Sequence, residues 1–346
     1  METSDRNREK QAREDVNAMP VVETTYATCQ TAVLLAAVEL DLFSEIGHGY
    51  NSVDSLALRT GYSTRALRIL MDALAGMGFL EKDADRYPLS AVASRFLSTD
   101  SPAYLGQFVR VHQGDVLRGS WFQLAQTVRS GKPPAEATEN VERFFESLVD
   151  PLYTLSLPAA EVAANAICAY QNDRKLRVLD IAAGSGVWSL PLARRDPHTR
   201  VTVADLPGVI ENVTRRFVAQ EGVADQYEYL PGDLLDIDFG ETTYDVAILG
   251  HICHGIGAEQ SKRLFDRVYR ALKPGGRLLI AEIIPDEQRR EALFPLLFAV
   301  NMLAVTPEGD TFTLSEYRQW LWSAGFGEVL TIEAPAPSPL IVARKT

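Results

Sequence analysis

The stretch Leu176–Trp188, LRVLDIAAGSGVW, constrains this chain more than any other. Val178, Leu179 and Ile181 form a β-branched and aliphatic run, with Asp180 near its end, that breaks into Ala, Gly and Ser. An apolar run of this length bounded by glycine reads as a buried parallel strand that hands over to a helix through a tight turn. Small residues there let the backbone approach a ligand closely, and the N-terminus of the next helix offers free amide hydrogens. α/β proteins bind nucleotides at such turns.

The downstream chain repeats this grammar. RVTVADLP, YEYLPGDLL, YDVAILG and GRLLIAEII read as strands, separated by helical segments; one of these, from about residue 258 to 272, carries Leu264, Phe265, Val268, Tyr269 and Leu272 on one face. Such alternation specifies a parallel sheet with helices on both faces. Thr313 and Glu316 form a capping box that opens TLSEYRQWLWSAGF. The final runs, GEVLTIEA and PLIVARK, are joined by the short loop PAPSP and suit an antiparallel pair at the sheet edge.

The upstream chain is different in kind. Residues 22–43 read as a buried helix; Ser52 caps a short helix ending at Thr60-Gly61, and Ser63 caps a second whose Leu67, Leu70, Met71 and Leu74 share a face. GFLEKDADRYPLS then reads as a small hairpin, completing a winged-helix pattern. Arg65 and Arg68 stand where a DNA-reading helix would carry them, yet residues 1–105 hold more acidic than basic side chains, so the electrostatic footprint of a DNA binder is missing. A dimerisation module is favoured. Residues between Ser101 and Tyr170 read as helical, with Phe108, Trp121, Phe122 and Tyr153 interleaved, and some of these rings are expected to wall a pocket. The expected organisation is a disordered tail over 1–20, a winged-helix dimerisation domain over 21–105, a helical connector contributing to the substrate pocket over 106–172, and a nucleotide-type domain over 173–346.

A net charge of −12 and a pI near 5.0 disfavour nucleic acid and anionic membranes as partners. Cys29, Cys168 and Cys253 match no metal or disulfide spacing. No secretory signal or run of membrane-spanning length is read from the sequence, and a cytoplasmic location is expected.

The glycine turn discriminates between cofactors. Read as GxGxxG from Gly184, it has Gly184 and Gly186 but Ser189 at the third position, a poor dinucleotide fingerprint. Read as D-x-A-x-G-x-G from Asp180, it resembles the first motif of class I S-adenosylmethionine (SAM) methyltransferases, with Ala182 in place of the usual first glycine. Asp205 ends the second strand, where such folds present an acid to ribose hydroxyls. Asp233 follows the third, where the family analogy aims an acid at the adenine amine and Leu234 at the ring.

With VLDIAAGSG, VADLP, GDLL, YDVAILGHICH, LKPGGRLLIAE and TLSEYRQWLWSAGF in place, the chain resembles the plant-type small-molecule O-methyltransferases over roughly residues 22–345. That resemblance implies an α/β fold: a Rossmann-like class I methyltransferase domain with a mostly parallel seven-stranded sheet, preceded by a mainly helical winged-helix dimerisation domain. It implies a homodimer that uses SAM. It places His254, at the end of the strand region YDVAILGHICH, as the base taking the proton from an acceptor hydroxyl, with Glu282 holding its tautomer. Cofactor contacts fall to Asp180, Ala182, Gly184, Gly186, Asp205, Leu206, Asp233, Leu234, Gly250 and His251. Asn301 and Met302 fall over the acceptor. The chain departs from the family at Gly255-Ile256, where Asp-Trp is usual, at Thr311, where a second acid is usual, and at Gly250, where lysine is common.

The expected activity is methyl transfer to an oxygen, a phenolic hydroxyl above all, of a small aromatic metabolite. The alternatives are C-methylation of an activated carbon acid such as a keto acid, non-methylating chemistry on the same fold, and a winged-helix ligand-sensing regulator. His251 and His254 form H-x-x-H, which could bind a metal, but no third ligand is evident from spacing, and no metal is assigned.

Overall fold

The computed structural model describes residues 17–138, 141–170 and 175–346. The chain divides into two compact units, Met1–Arg110 and Val111–Thr346. Most of the expected tail, residues 1–16, lies outside the described residues, and the helical segment expected as a connector falls almost wholly in the second unit.

The first unit is built on helices α1 (Met19–Glu39), α2 (Val53–Thr60) and α3 (Thr64–Gly76). Ser52 and Ser63 cap α2 and α3 through the amides of Ser55 and Ala66, satisfying backbone donors that a helix start leaves free. Leu56, Leu67, Met71 and Leu74 are buried together. The hairpin is reduced to isolated antiparallel bridges, Leu80 with Leu89 and Asp83 with Arg86.

α1 is not the buried helix its composition suggests. Only Ala37 and Val38 are buried, whereas Val21 and Tyr26 are 71% and 62% exposed. Two helices, Met19–Glu39 and Leu148–Tyr170, also prove long and apolar enough to cross a membrane by length and composition, contrary to the sequence expectation.

The second unit carries α4 (Asp115–Phe122), α5 (Val141–Tyr170) and a seven-stranded sheet. Its strands are β1 (Arg177–Ile181), β2 (Arg200–Asp205), β3 (Tyr227–Pro231), β4 (Tyr244–Gly250), β5 (Leu272–Ala281), β6 (Phe326–Ile332) and β7 (Leu340–Lys345). They lie in the order β3-β2-β1-β4-β5-β7-β6. The first five are parallel, and β7 inserts antiparallel between β5 and β6. Near-continuous aliphatic burial in β1, β2 and β4 fits a sheet covered on both faces. Ile181 pairs with Ala204 and Leu249, and Gly250 with Ala281, so four strands end at one level. The crevice outside the carboxyl ends of parallel strands is where such sheets bind ligands.

Three further helices bear on that crevice: α6 (Cys253–Ala271), α7 (Leu293–Val305) and α8 (Leu314–Ser323). His254 therefore stands on the first turn of a helix, not at the end of a strand as the motif suggested. Gly257, with φ 80° and ψ 174°, separates that turn from the rest of α6. Only glycine fits there, because a Cβ would lie 2.5 Å from the Glu308 carbonyl oxygen.

Candidate active site

The turn after β1 is held open by backbone geometry. Ala182, Gly184 and Gly186 have φ of 53°, 56° and 75°. Left-handed backbone is ordinary for glycine and costs an L-residue roughly 1–2 kcal/mol, so Ala182 is a strained stand-in and more than a mild departure. Asp205 braces the turn: its Oδ2 accepts from Gly184 N at 2.8 Å and its Oδ1 from Leu206 N at 2.7 Å. The Asp205 carbonyl accepts from Gly232 N at 3.0 Å, bringing in the loop of Asp233 and Leu234.

That loop is fastened from behind. Asp233 Oδ1 accepts from Leu235 N at 2.9 Å. Arg267, on α6, donates to the carbonyls of Leu234, Leu235 and Ile237 and lies 4.5 Å from the Phe239 ring centroid. A planar guanidinium spans several carbonyls at once in a way an ammonium cannot.

Asp180 is the anomaly of this region. Its carboxylate is buried, and neither oxygen makes a hydrogen bond of ordinary geometry among the described residues; the Ser189 hydroxyl and amide favour its charge but do not offset burial. Burial pushes its pKa up to about 7, and the charge of Asp205 pushes the same way. An orphaned acid beside a cradle of left-handed glycines suits a ligand with cationic character and fits the methionyl end of SAM.

Gly250 and His251 close β4. A Cβ at residue 250 would lie 2.3 Å from the Trp188 ring, so glycine here makes room for that indole. His251 has φ 60°, and its ring lies 5.9 Å from Trp188 and 6.1 Å from His254. Burial pulls its pKa down to about 4, so the imidazole is neutral.

The proton-transfer corner is tightly tied. Glu282, just after β5, is buried; its Oε1 accepts from Cys253 N at 2.7 Å and His254 N at 3.3 Å, and its Oε2 lies 2.6 Å from His254 Nδ1. Burial opposes the charge on Glu282, but electrostatic attraction to the His254 ring and the hydrogen bond from it prevail and hold the carboxyl below its usual range. The acid can only accept, so Nδ1 carries the hydrogen and Nε2 has its lone pair free, with no partner among the described residues. The Phe298 ring meets His254 edge-on at 4.9 Å.

The donor atoms of His251, His254 and Glu282 lie within 4.8 Å of one another, a grouping that could hold a metal. Spacing alone could not reveal Glu282 as its third member. Both oxygens of Glu282 are already engaged by amides and the Nδ1 proton, an arrangement that serves a tautomer lock.

Comparison with known proteins identifies the family. The sequence profile of the O-methyltransferase domain matches residues 139–327, and that of the O-methyltransferase dimerisation domain matches 22–99. The chain belongs to the O-methyltransferase family. As a member it is a SAM-dependent methyltransferase with a dimerisation domain at its N-terminal end. It is similar to the tetracenomycin polyketide synthesis 8-O-methyl transferase of Streptomyces glaucescens, 30% identical over 94% of this chain and 96% of that one. The 3-hydroxy-5-methyl-1-naphthoate 3-O-methyltransferase of Streptomyces sahachiroi is 29% identical over 92% of each. The fold matches human N-acetylserotonin methyltransferase in complex with SAM, with a TM-score of 0.78, 24% identity and coverage of 96% of this chain and 99% of that one.

Two residues that the motifs leave without roles stand at this site. Trp188 and Phe298 both border the corner. Trp188 stood at the end of the opening motif unread, and Phe298 could have been found three residues before Asn301 on the same helical stripe. Of the two residues expected over the acceptor, Met302 is buried and packs toward Gly309, whereas Asn301 is half-buried. Thr311, where an acid is usual, is buried with its hydroxyl toward the Pro295 carbonyl.

Proposed function

We propose that this enzyme transfers the methyl group of SAM to a phenolic hydroxyl of an aromatic small molecule, as a cytoplasmic homodimer, with His254 as the base. The observation that carries the reading is the His254–Glu282 pair at 2.6 Å, which leaves Nε2 as the free basic nitrogen. Aromatic acceptors are supported by the names of the two Streptomyces relatives, one a naphthoate methyltransferase and one of polyketide synthesis.

The residues divide the work. Asp180, the amide-lined turn through Gly184 and Gly186, Asp205 with Leu206, the loop of Asp233 and Leu234, and the Gly250–His251 corner would hold SAM, which when bound supplies an electrophilic methyl group on a cationic sulfur. His254 Nε2 takes the proton of the acceptor hydroxyl as its oxygen turns nucleophilic. Glu282 keeps Nδ1 protonated and then faces the imidazolium that forms, much as a carboxylate steadies a histidine base elsewhere. Because Glu282 is fixed by the amides of Cys253, His254 and Ile283 as well as by His254 Nδ1, no reorientation is needed when the charge appears. Positioning two reactants in line supplies a large part of the remaining rate.

His254→Ala tests this. Turnover with phenolic acceptors should fall by about 10²–10⁴ while the SAM Kd, measured by calorimetry, is retained. A variant with undiminished turnover would remove His254 from the mechanism.

A further inference from the structure

We propose that Trp121 sets the acceptor preference of this site: it fixes Asn301 as a pure hydrogen-bond donor, so the enzyme favours phenols that carry a second, keto-type oxygen. The inference rests on the phenol O-methylation reading above and names the acceptor class within it.

The argument begins on α7. Phe294, Phe298, Asn301 and Val305 follow the i, i+4, i+7, i+11 spacing and share one stripe. The rings of Phe294 and Phe298 lie 6.1 Å apart, and Phe298 touches the His254 ring at 4.9 Å. Asn301 therefore stands on the stripe that faces the base, about 4.5 Å further along the helix. A flat acceptor lying along these rings with its hydroxyl at Nε2 reaches the Asn301 amide with its distal edge.

Trp121, near the end of α4, settles what that amide offers. Its Nε1–H donates to Asn301 Oδ1 at 3.0 Å. An indole N–H can only donate, so the receiving atom has to be the amide oxygen, and the usual ambiguity of an asparagine flip disappears. Nδ2, with two N–H groups, has no partner among the described residues. The two ends of the acceptor site then have opposite polarity. His254 Nε2 accepts a hydrogen from the reacting hydroxyl, and Asn301 Nδ2 gives one to the other end of the ring system. A ketone or quinone oxygen answers that donor best. A methylene in its place leaves the amide unpaired when the acceptor covers it.

Two phenols differing only at this point provide the measurement, 7-hydroxy-1-tetralone and 5,6,7,8-tetrahydro-2-naphthol. The ratio of their kcat/KM values is compared between the wild type, Trp121→Phe, which keeps a ring but loses the donor, and Asn301→Asp, which replaces the amide by acceptors only. Comparing ratios cancels the different acidities of the two phenols. The wild type should prefer the ketone about tenfold, the Phe variant should lose most of that preference through KM, and the Asp variant should lose all of it. SAM Kd and the pH profile of kcat should stay in place for Trp121→Phe, since neither depends on the amide. A wild-type enzyme that methylates both phenols equally, or a Trp121→Phe variant with the wild-type ratio, overturns the proposal. A wild-type enzyme that binds SAM but methylates neither phenol overturns the phenol reading, and this inference with it.

Discussion

Two buried carboxylates, Asp180 and Glu282, end neighbouring parts of the same sheet and have opposite fates. Asp180 makes no hydrogen bond of ordinary geometry among the described residues, Ser189 only partly offsets its burial, and it is pushed up to about 7. Glu282 receives four donors and is held below the ordinary carboxylate range. Burial penalises both charges alike; what differs is whether the protein itself supplies the compensation. Around Glu282 it does, so the proton-transfer corner is complete in the free enzyme. Around Asp180 it does not, and the missing compensation is left for a cationic ligand. The cradle is designed to be finished by its cofactor, and the corner is finished beforehand.

The sharpest test of that contrast is Glu282→Gln. An amide cannot lock Nδ1–H in the same way, and kcat should fall by about 10²–10⁴ with SAM affinity little changed, as in other histidine bases deprived of their carboxylate; steady-state kinetics beside calorimetry decide it. Next in size is the pH behaviour of Asp180. Its folded pKa, about 7, lies above the reference value of 3.8, so its contribution to stability is fully present below about pH 4 and is lost as pH rises through about 7. Asp180→Asn does not titrate. Its Tm relative to wild type, without SAM, should therefore climb between about pH 4 and about pH 7 and level off above that, while the wild-type SAM Kd tightens as pH rises towards about 7 and that of the variant stays flat. A Tm difference independent of pH would show that Asp180 is compensated within the protein after all.

A smaller effect is expected behind the adenine-side loop. Arg267→Gln removes the fork that holds the carbonyls of Leu234, Leu235 and Ile237 and should weaken SAM binding by about tenfold without moving the pH profile of kcat. The smallest concerns Ala182, whose φ of 53° strains a Cβ: Ala182→Gly should stabilise the protein by up to about 1 kcal/mol, read by urea unfolding, because relief of strain outweighs the added chain entropy.

The cradle was legible in the chain because its determinants are local. Asp180 to Gly186 lie on one turn, and Asp205 and Asp233 close the next two strands, so period and punctuation were enough to find them. The corner was legible only through family likeness, since His254, Glu282 and Phe298 come from three separated segments that no spacing rule connects. The motif also suggests a strand at His254, because the apolar residues Val246, Ala247 and Ile248 run straight into LGHICH, and the change to helix depends on His251 taking left-handed backbone. α1 misled for another reason: periodicity reports how apolar a helix is and not what covers it, and its exposed Val21 and Tyr26 fall close to or within the segment matched by the dimerisation profile. Trp121 was one aromatic among several in the middle region, and only its hydrogen bond to Asn301 distinguishes it.

The glycines behind His254 carry one more consequence. Residue 257 must be glycine to clear the Glu308 carbonyl, a Cβ at Gly309 would lie 2.5 Å from the His254 carbonyl oxygen, and Asp310 N donates to that same oxygen at 2.9 Å. The base is thus gripped through its own main chain by the loop that carries Glu308, Gly309 and Asp310. Apart from Phe298, which touches the His254 ring, residues of α7 can then change without loosening the backbone grip on the base.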